Sequence, residues 1–330
     1  YININSTLQI KLSNTIKAVS HLSSIFYGNP SKDLIIIGIT GTNGKTTTAY
    51  LTTKALINAG YKTAQIGTTG VIAHGFNDKL TLTTPDAISL QRILNKLKAK
   101  HFTHVVMEVS SHALDQYRVA NIKFNIGVFT NITPEHLDYH SSMENYYQAK
   151  SKLFKTLRKN DLAIINNDNE SGKRLLSEVK SAALLFSKNN KKTIHFSNYN
   201  LSLDGIEGSI KADKSIYHIK SYLIGKYNQE NILAAVSILH SLKLKKKYIE
   251  DGINECKHIP GRLESFKLLT GAKAIIDYAH TPDAYKNVLS TLKALLMKSS
   301  QLYVVFGAGG ERDKYKRPKM AQIAELFANK

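Results

Sequence analysis

The run Ile35-Ile36-Ile37-Gly38-Ile39-Thr40-Gly41-Thr42-Asn43-Gly44-Lys45-Thr46-Thr47-Thr48 constrains the fold of this chain more than any other stretch. Its isoleucines mark a strand buried on both faces, and glycines at 38, 41 and 44 keep side chains out of the turn that follows. Lys45-Thr46 then falls where a helix opens. At such a junction backbone N–H groups and the positive helix end hold phosphate oxygens, a lysine adds a mobile charge, and a hydroxyl ligates Mg²⁺. The spacing departs from G-x-x-x-x-G-K-[ST], because Ile39 stands six residues before Lys45. A glycine-rich packing turn without a ligand is the plainer reading, but it leaves Gly44-Lys45-Thr46 unexplained.

At 330 residues the length suggests two domains or a little more, and 42% apolar residues suffice for real cores. The net charge of +20 comes from 45 basic residues of which only seven are arginine, and the lysines are scattered. Nucleic-acid sites cluster arginine with aromatics on one element, so no nucleic-acid partner is expected and anionic small substrates are favoured. A lone cysteine, Cys256, excludes an internal disulfide and suits a reducing compartment. No run approaches the length of a membrane span. We therefore expect a cytoplasmic protein with no membrane contact, and, since position 1 is Tyr rather than Met, a piece of a longer chain.

Residues 1–30 are polar with modest helical periodicity and end at the turn Gly28-Asn29-Pro30, as in a linker. From Leu34 onward strand and helix patterns alternate. The spacing predicts helices over Thr46–Ala59, Ala87–Lys100 (capped by Thr84 or Asp86) and Met143–Leu157, and strands over Thr63–Gly67, His104–Val109, Ile126–Thr130 and Leu162–Asn166. Residues 183–224 change to short alternating strands, which read as an antiparallel edge or subsheet. A helix resumes at Tyr227, and a boundary is expected near Ile259-Pro260-Gly261. Beyond it come strands at Ala274–His280 and Leu302–Phe306 and helices at Asp283–Met297 and Arg317–Ala328. The fold class is α/β: a P-loop, mostly parallel central sheet with an antiparallel subsheet, followed by a partial Rossmann-like domain. Gly307-Ala308-Gly309-Gly310 fails as a dinucleotide fingerprint, because Arg312 replaces the third glycine.

Three further features carry chemistry. Glu108 ends a buried strand and suits a second Mg²⁺ contact. His136, Asp138 and His140 alternate in a loop that reads equally as a metal cluster or as plain polar sequence. Lys150 falls on the apolar face of its helix, where a lysine must be paired, neutral, modified or snorkelling.

Together, Gly41–Thr47, Glu108-Val109-Ser110-Ser111-His112-Ala113-Leu114, Asn131–His140 with Glu144-Asn145-Tyr146 and Lys150, Gly261-Arg262-Leu263-Glu264, Asp277-Tyr278-Ala279-His280-Thr281-Pro282-Asp283 and Gly309-Gly310-Glu311-Arg312-Asp313 resemble the ATP-dependent Mur ligases of peptidoglycan synthesis. Within that family they are most similar to the enzymes that add a diamino acid to UDP-N-acetylmuramoyl-L-alanyl-D-glutamate. The resemblance implies residues 1–30 as a linker or remnant of a UDP-binding domain, 31–258 as the central ATP-binding domain, and 259–330 as the first part of the C-terminal domain. It implies ATP and Mg²⁺, an acyl-phosphate intermediate, and a monomer. By the same resemblance, Gly41, Thr42, Asn43, Gly44, Lys45, Thr46 and Thr47 hold the phosphates, while Asn228, Asn231, Arg262 and Asp277 hold the rest of the nucleotide. Thr46, Glu108, His136 and a carbamylated Lys150 face the metal, and Lys45, Lys150, His136 and Glu108 form the catalytic set. Thr83, Thr84, Ser110, Gln116 and Arg118 hold the UDP-muramoyl dipeptide, and Arg312 meets the diamino acid, with meso-2,6-diaminopimelate expected before L-lysine. Leu82 stands where many relatives have Asn, which removes one polar contact. The rivals are a folylpolyglutamate synthetase-like ligase and a non-catalytic nucleotide-binding remnant.

Overall fold

The computed structural model describes residues 11–76, 80–297, 299–307 and 316–330. β1 (Ile35–Thr40) lies inside a seven-stranded sheet, parallel to β4 (His104–Glu108) on one side and β5 (Ile126–Phe129) on the other. With β2 (Thr63–Gly67), β3 (Gly70–Ile72), β6 (Leu162–Asn166) and β7 (Ala182–Phe186), the order is β3-β2-β4-β1-β5-β6-β7, and β3 alone in this sheet runs antiparallel to its neighbour. The helices of this domain are α1 (Thr15–Phe26), α2 (Lys45–Asn58), α3 (Ala87–Ala99), α4 (Ser111–Asp115), α5 (Leu137–His140), α6 (Met143–Lys155), α7 (Glu170–Glu178), α8 (Asn228–Ser241) and α9 (Lys246–Asn254). Alternation along β1 sends Ile37 and Ile39 into one core with α2, α8 and α9, and Ile36 into another with α3, α6 and α7. This is why the strand reads as an unbroken apolar run: both faces are covered.

Gly38 belongs to this packing rather than to the turn. A Cβ there would stand 2.6 Å from Phe124 Cε1, so only glycine lets the 124 ring lie against the strand. Asp86, not Thr84, caps α3 by accepting from Ser89 N. β7 lies at the edge of the antiparallel stretch expected from sequence but pairs parallel with β6, its Ala-Ala-Leu-Leu-Phe run extending the main sheet. The antiparallel subsheet is separate: β8 (His195–Ser202), β9 (Gly205–Ala212) and β10 (Ser215–Ser221), longer than their sequence pattern suggests, bring Ile206, Ile210, Tyr217 and Ile219 onto the α8 core.

Beyond residue 259 the chain forms an antiparallel pair, β11 (Glu264–Lys267) and β12 (Lys273–Ile276), then α10 (Pro282–Leu295) and α11 (Lys316–Phe327). The strand expected over 302–306 does not form. Leu302 N donates to Asn329 Oδ1 and Val304 N to Lys330 O, so its backbone is tied to the last residues instead of to a ladder neighbour. An apolar segment becomes a strand only beside another strand. Among the described residues no helix is long and apolar enough to cross a membrane.

α9 crosses α2 closely enough that a Cβ on Gly252 would lie 2.3 Å from Ala55 Cα. In Gly252→Ala, overpacking against backbone outweighs the roughly 1 kcal/mol gain in helix propensity. We expect a net loss of about 1–2 kcal/mol in urea unfolding; equal or higher stability would contradict this contact.

Candidate active site

The carboxyl ends of β1, β4 and β5 open on one cavity of about 320 Å³, whose far wall comes from the C-terminal unit through Arg262, Asp277 and His280. Ligands in open α/β sheets bind at such strand ends, where successive connections leave on opposite sides. The loop between β1 and α2 is shaped by two glycines. Gly44 has φ +90° and its Cβ would meet Asn231 Oδ1 at 2.2 Å, while a Cβ on Gly41 would meet Thr130 Oγ1 at 1.9 Å. The β5 side fixes the loop: Thr42 N donates to Asn131 O (2.9 Å), Asn43 N to Asn131 Oδ1 (2.9 Å), and Thr130 Oγ1 to Asn43 O (2.6 Å). The first turn of α2 follows, its N–H groups without intrahelical partners.

Lys45 and Lys150 converge here. Lys45 Nζ donates to Gly41 O (2.9 Å) and Thr42 O (2.8 Å), and Lys150 Nζ to the same Gly41 O (2.8 Å). Burial pushes the Lys45 amine below its usual range, Glu135 and Glu108 partly offset this, and Arg262 adds to it. Lys150 falls much further, through burial and then the adjacent Lys45, with Glu135 opposing. The anomalous lysine is thus buried and held on a carbonyl, not snorkelling.

Glu108 is fully buried. Its Oε2 accepts from Thr46 Oγ1 (2.9 Å) and Thr68 Oγ1 (3.2 Å), and its Oε1 from Thr68 N (2.9 Å), all neutral donors. Thr46 Oγ1 in turn accepts from Arg262 Nη2 at 3.2 Å. Asp277 accepts from Leu263 N (2.8 Å) and Ala279 N (2.7 Å), and burial nevertheless raises its pKa. Asn231 Nδ2 donates to Asn228 Oδ1 (2.8 Å) behind the loop. Thr47 lies buried in the first turn of α2.

A second polar group extends from β4. Thr84 Oγ1 donates to Glu108 O (2.9 Å) and accepts from Ser110 N (3.0 Å); Arg118 Nη1 donates to Thr84 O (3.0 Å) and its Nε to Gln116 Oε1 (3.1 Å). Thr83 Oγ1 lies 3.2 Å from Thr68 Oγ1. Thr83, Thr84, Ser110, Gln116 and Arg118 therefore form one patch, beside an exposed Leu82. Arg312 lies outside the described residues.

His136, Asp138 and His140 do not share one face. His136 and His140, four residues apart, both pack on the ring of His112 (centroids 4.8 and 5.4 Å), while Asp138 is exposed; His136 Nε2 also lies 3.7 Å from Glu135 Oε1, and buried His140 Nε2 meets Ser111 Oγ at 2.9 Å. Of the metal-facing set expected from sequence, Thr46 and Glu108 meet directly, whereas Lys150 turns to Gly41 and His136 to Glu135. Among the described residues no three His, Cys, Asp or Glu side chains gather as a metal site. Sequence reasoning missed Thr68, Glu135, Tyr146 and His280 as site residues. Glu135 Oε1 lies 3.6 Å from His280 Nε2 of the C-terminal unit. The available signal was the four-residue spacing of Tyr146 and Lys150, which puts both on one helix face.

Residues 39–239 match the Mur ligase middle domain, and residues 261–330 match the Mur ligase, glutamate ligase domain. This chain belongs to the Mur ligase family. The UDP-N-acetylmuramoyl-L-alanyl-D-glutamate–2,6-diaminopimelate ligase of Geobacter metallireducens is 39% identical to it, over 97% of this chain and 63% of that protein. The Aquifex aeolicus protein of the same name is 39% identical over 97% and 65%. This Mur ligase chain thus spans just under two thirds of these relatives. A solved structure of a UDP-N-acetylmuramoyl-L-alanyl-D-glutamate–2,6-diaminopimelate ligase superposes with TM-score 0.76 at 30% identity, covering 95% of this chain and 65% of that one. Mycobacterium tuberculosis folylpolyglutamate synthase complexed with ADP superposes at TM-score 0.70 and 17% identity, over 86% and 70%, a likeness of fold alone.

Burial, then His112, lowers the His140 pKa from 6.5 to about 4 in this Mur ligase. The unfolded chain therefore takes up that proton first, and His140 contributes a loss of stability as pH falls from about 6.5 to about 4, complete below the folded value. An imidazole NMR titration is expected to place His140 near 4, and His140→Gln to flatten the stability-versus-pH slope in that window. A midpoint near 6.5 would contradict its buried contact with Ser111.

Proposed function

We propose that this chain carries the nucleotide site of an ATP-dependent amide ligase that joins a diamino acid to UDP-N-acetylmuramoyl-L-alanyl-D-glutamate. The observation that carries the reading is the pair of lysines on Gly41 O, beside Glu108 and Thr46, in a chain of this family. A carboxylate is a poor electrophile and needs a good leaving group before an amine can displace it. The γ-phosphoryl group of ATP passes to the D-glutamyl carboxylate, with ADP leaving. The amine of the diamino acid then attacks the acyl carbon, a proton is lost from nitrogen, and phosphate departs.

Lys45 exchanges the Gly41 and Thr42 carbonyls for phosphate oxygens and stabilises the charge that builds on them. Asn228, Asn231, Arg262 and Asp277 hold the nucleotide, and Arg262 spans the cleft from the C-terminal unit. Thr83, Thr84, Ser110, Gln116 and Arg118 hold the muramoyl dipeptide, and Arg312 receives the acceptor. The names of the relatives support meso-2,6-diaminopimelate over L-lysine. Thr46 and Glu108 fit Mg²⁺, a hard cation that takes oxygen ligands, since the buried Glu108 carboxylate is hydrogen-bonded by neutral groups alone among the described residues. When bound, Mg²⁺ offsets the negative charge of the phosphates. His136 is assigned to the same side. Lys150 would join that set as a carbamate, formed when its amine adds CO₂ and releases a proton, a reaction that burial favours by disfavouring the charged amine. We place the enzyme in the cytoplasm as a monomer, with no nucleic-acid or membrane partner.

Phosphate release by the full-length protein, with the UDP-muramoyl dipeptide and each diamino acid in turn, tests this. Lys45→Ala is expected to lower turnover by about 10²–10³. Bicarbonate is expected to restore part of the activity of Lys150→Ala. Unchanged turnover in Lys45→Ala would refute the assignment of the loop.

A further inference from the structure

Tyr146 lies one helical turn before Lys150 on α6 and is fully buried. The Lys150 amine stands over its ring, 4.4 Å from the centroid. Its hydroxyl lies 3.1 Å from Thr42 Oγ1 in the phosphate loop and 3.5 Å from Glu135 Oε2. The Thr42 hydroxyl accepts from Thr133 N (3.0 Å); it and the phenol carry one proton each, for which Thr133 O (3.2 Å from Thr42 Oγ1) and Glu135 Oε2 compete, so either oxygen can donate in the bond between them. One side chain therefore touches the loop, the second lysine and the acidic residue that faces the C-terminal unit.

We propose that Tyr146 is a positioning residue, holding the phosphate loop through Thr42 while its ring supports the Lys150 side chain. The proposal rests on residues 41–46 being the phosphate site. Thr42 has both its N–H and its hydroxyl engaged by the 130–133 segment, and the phenol is a third tether from a different element, the rigid α6. The ring packs beneath the Lys150 side chain, its centroid 4.4 Å from the amine that donates to Gly41 O. Losing the hydroxyl frees the loop to sample shapes that no longer present its amides together, so nucleotide affinity falls although no contact to nucleotide has been removed. If Tyr146 merely filled the core beneath α6, a phenylalanine would serve equally well.

The test measures binding of a fluorescent ATP analogue with Mg²⁺ to the full-length protein and to its Tyr146→Phe, Thr42→Val, doubly substituted and Lys45→Ala variants. KM for ATP and for the muramoyl substrate is measured alongside. Tyr146→Phe keeps ring and volume, and its fold is checked by urea unfolding. We expect it to weaken nucleotide binding about three- to tenfold, the worth of one hydrogen bond. KM for ATP should rise by the same factor and KM for the muramoyl substrate should stay unchanged. The double variant should bind no more weakly than Thr42→Val alone, because both substitutions break one link. Wild-type affinity in Tyr146→Phe, or full additivity with Thr42→Val, would overturn the proposal. If Lys45→Ala also binds like wild type, the phosphate-site reading itself has failed; if Lys45→Ala loses binding, only the role of Tyr146 has.

Discussion

Gly41 O accepts hydrogen bonds from two lysine side chains, Lys150 buried and Lys45 half-buried, and much of the surrounding architecture exists to permit this. Amines removed from water lose hydration that one carbonyl replaces only in part, so both are held below their ordinary basicity. The offsetting charge is close but incomplete: Glu135 and Glu108 act on Lys45, while on Lys150 Glu135 opposes a larger effect from Lys45. Such a site favours an anion. A polyphosphate entering the cavity supplies several acceptors where the protein supplies carbonyls.

Placing those amines requires a strand inside the sheet. β1 has parallel neighbours on both sides, so Glu108 arrives from β4 and Thr130 and Asn131 from beyond β5, all at the same end. α6 packs on the opposite face from α2 and delivers Lys150 and Tyr146 together. The C-terminal unit closes the cavity by polar reach, Arg262 to Thr46 and His280 toward Glu135, and by apolar contact of Leu263, Val288 and Leu292 with Ile224. Polar contacts of this kind exchange readily with a charged ligand, whereas the apolar seam keeps the two units adjacent.

The sequence made the strand and its loop legible because an isoleucine run, a Gly-Lys-Thr and a helix start agree at every level. It also marked Lys150 as anomalous, since a charged residue on an apolar helical face conflicts with its pattern. Gly38 looked like part of the loop because glycine serves both close packing and sharp turns, and only Phe124 distinguishes the two. Residues 302–306 looked like a strand because apolar alternation says nothing of whether a partner exists. The histidine run was ambiguous for a similar reason: on a strand all three side chains would share a face, whereas the turn at 136–140 keeps His136 and His140 beside His112 and leaves Asp138 exposed. Glu135 and Thr68 act through neighbours distant in sequence, His280 and Glu108, which no local pattern encodes.

The most direct test is a crystal structure of the full-length protein with a non-hydrolysable ATP analogue and Mg²⁺. The account predicts the terminal phosphate in the loop of residues 41–46, with Lys45 Nζ moved from the Gly41 and Thr42 carbonyls onto phosphate oxygen. A nucleotide bound elsewhere, or Lys45 still on its own loop beside a bound triphosphate, would contradict it.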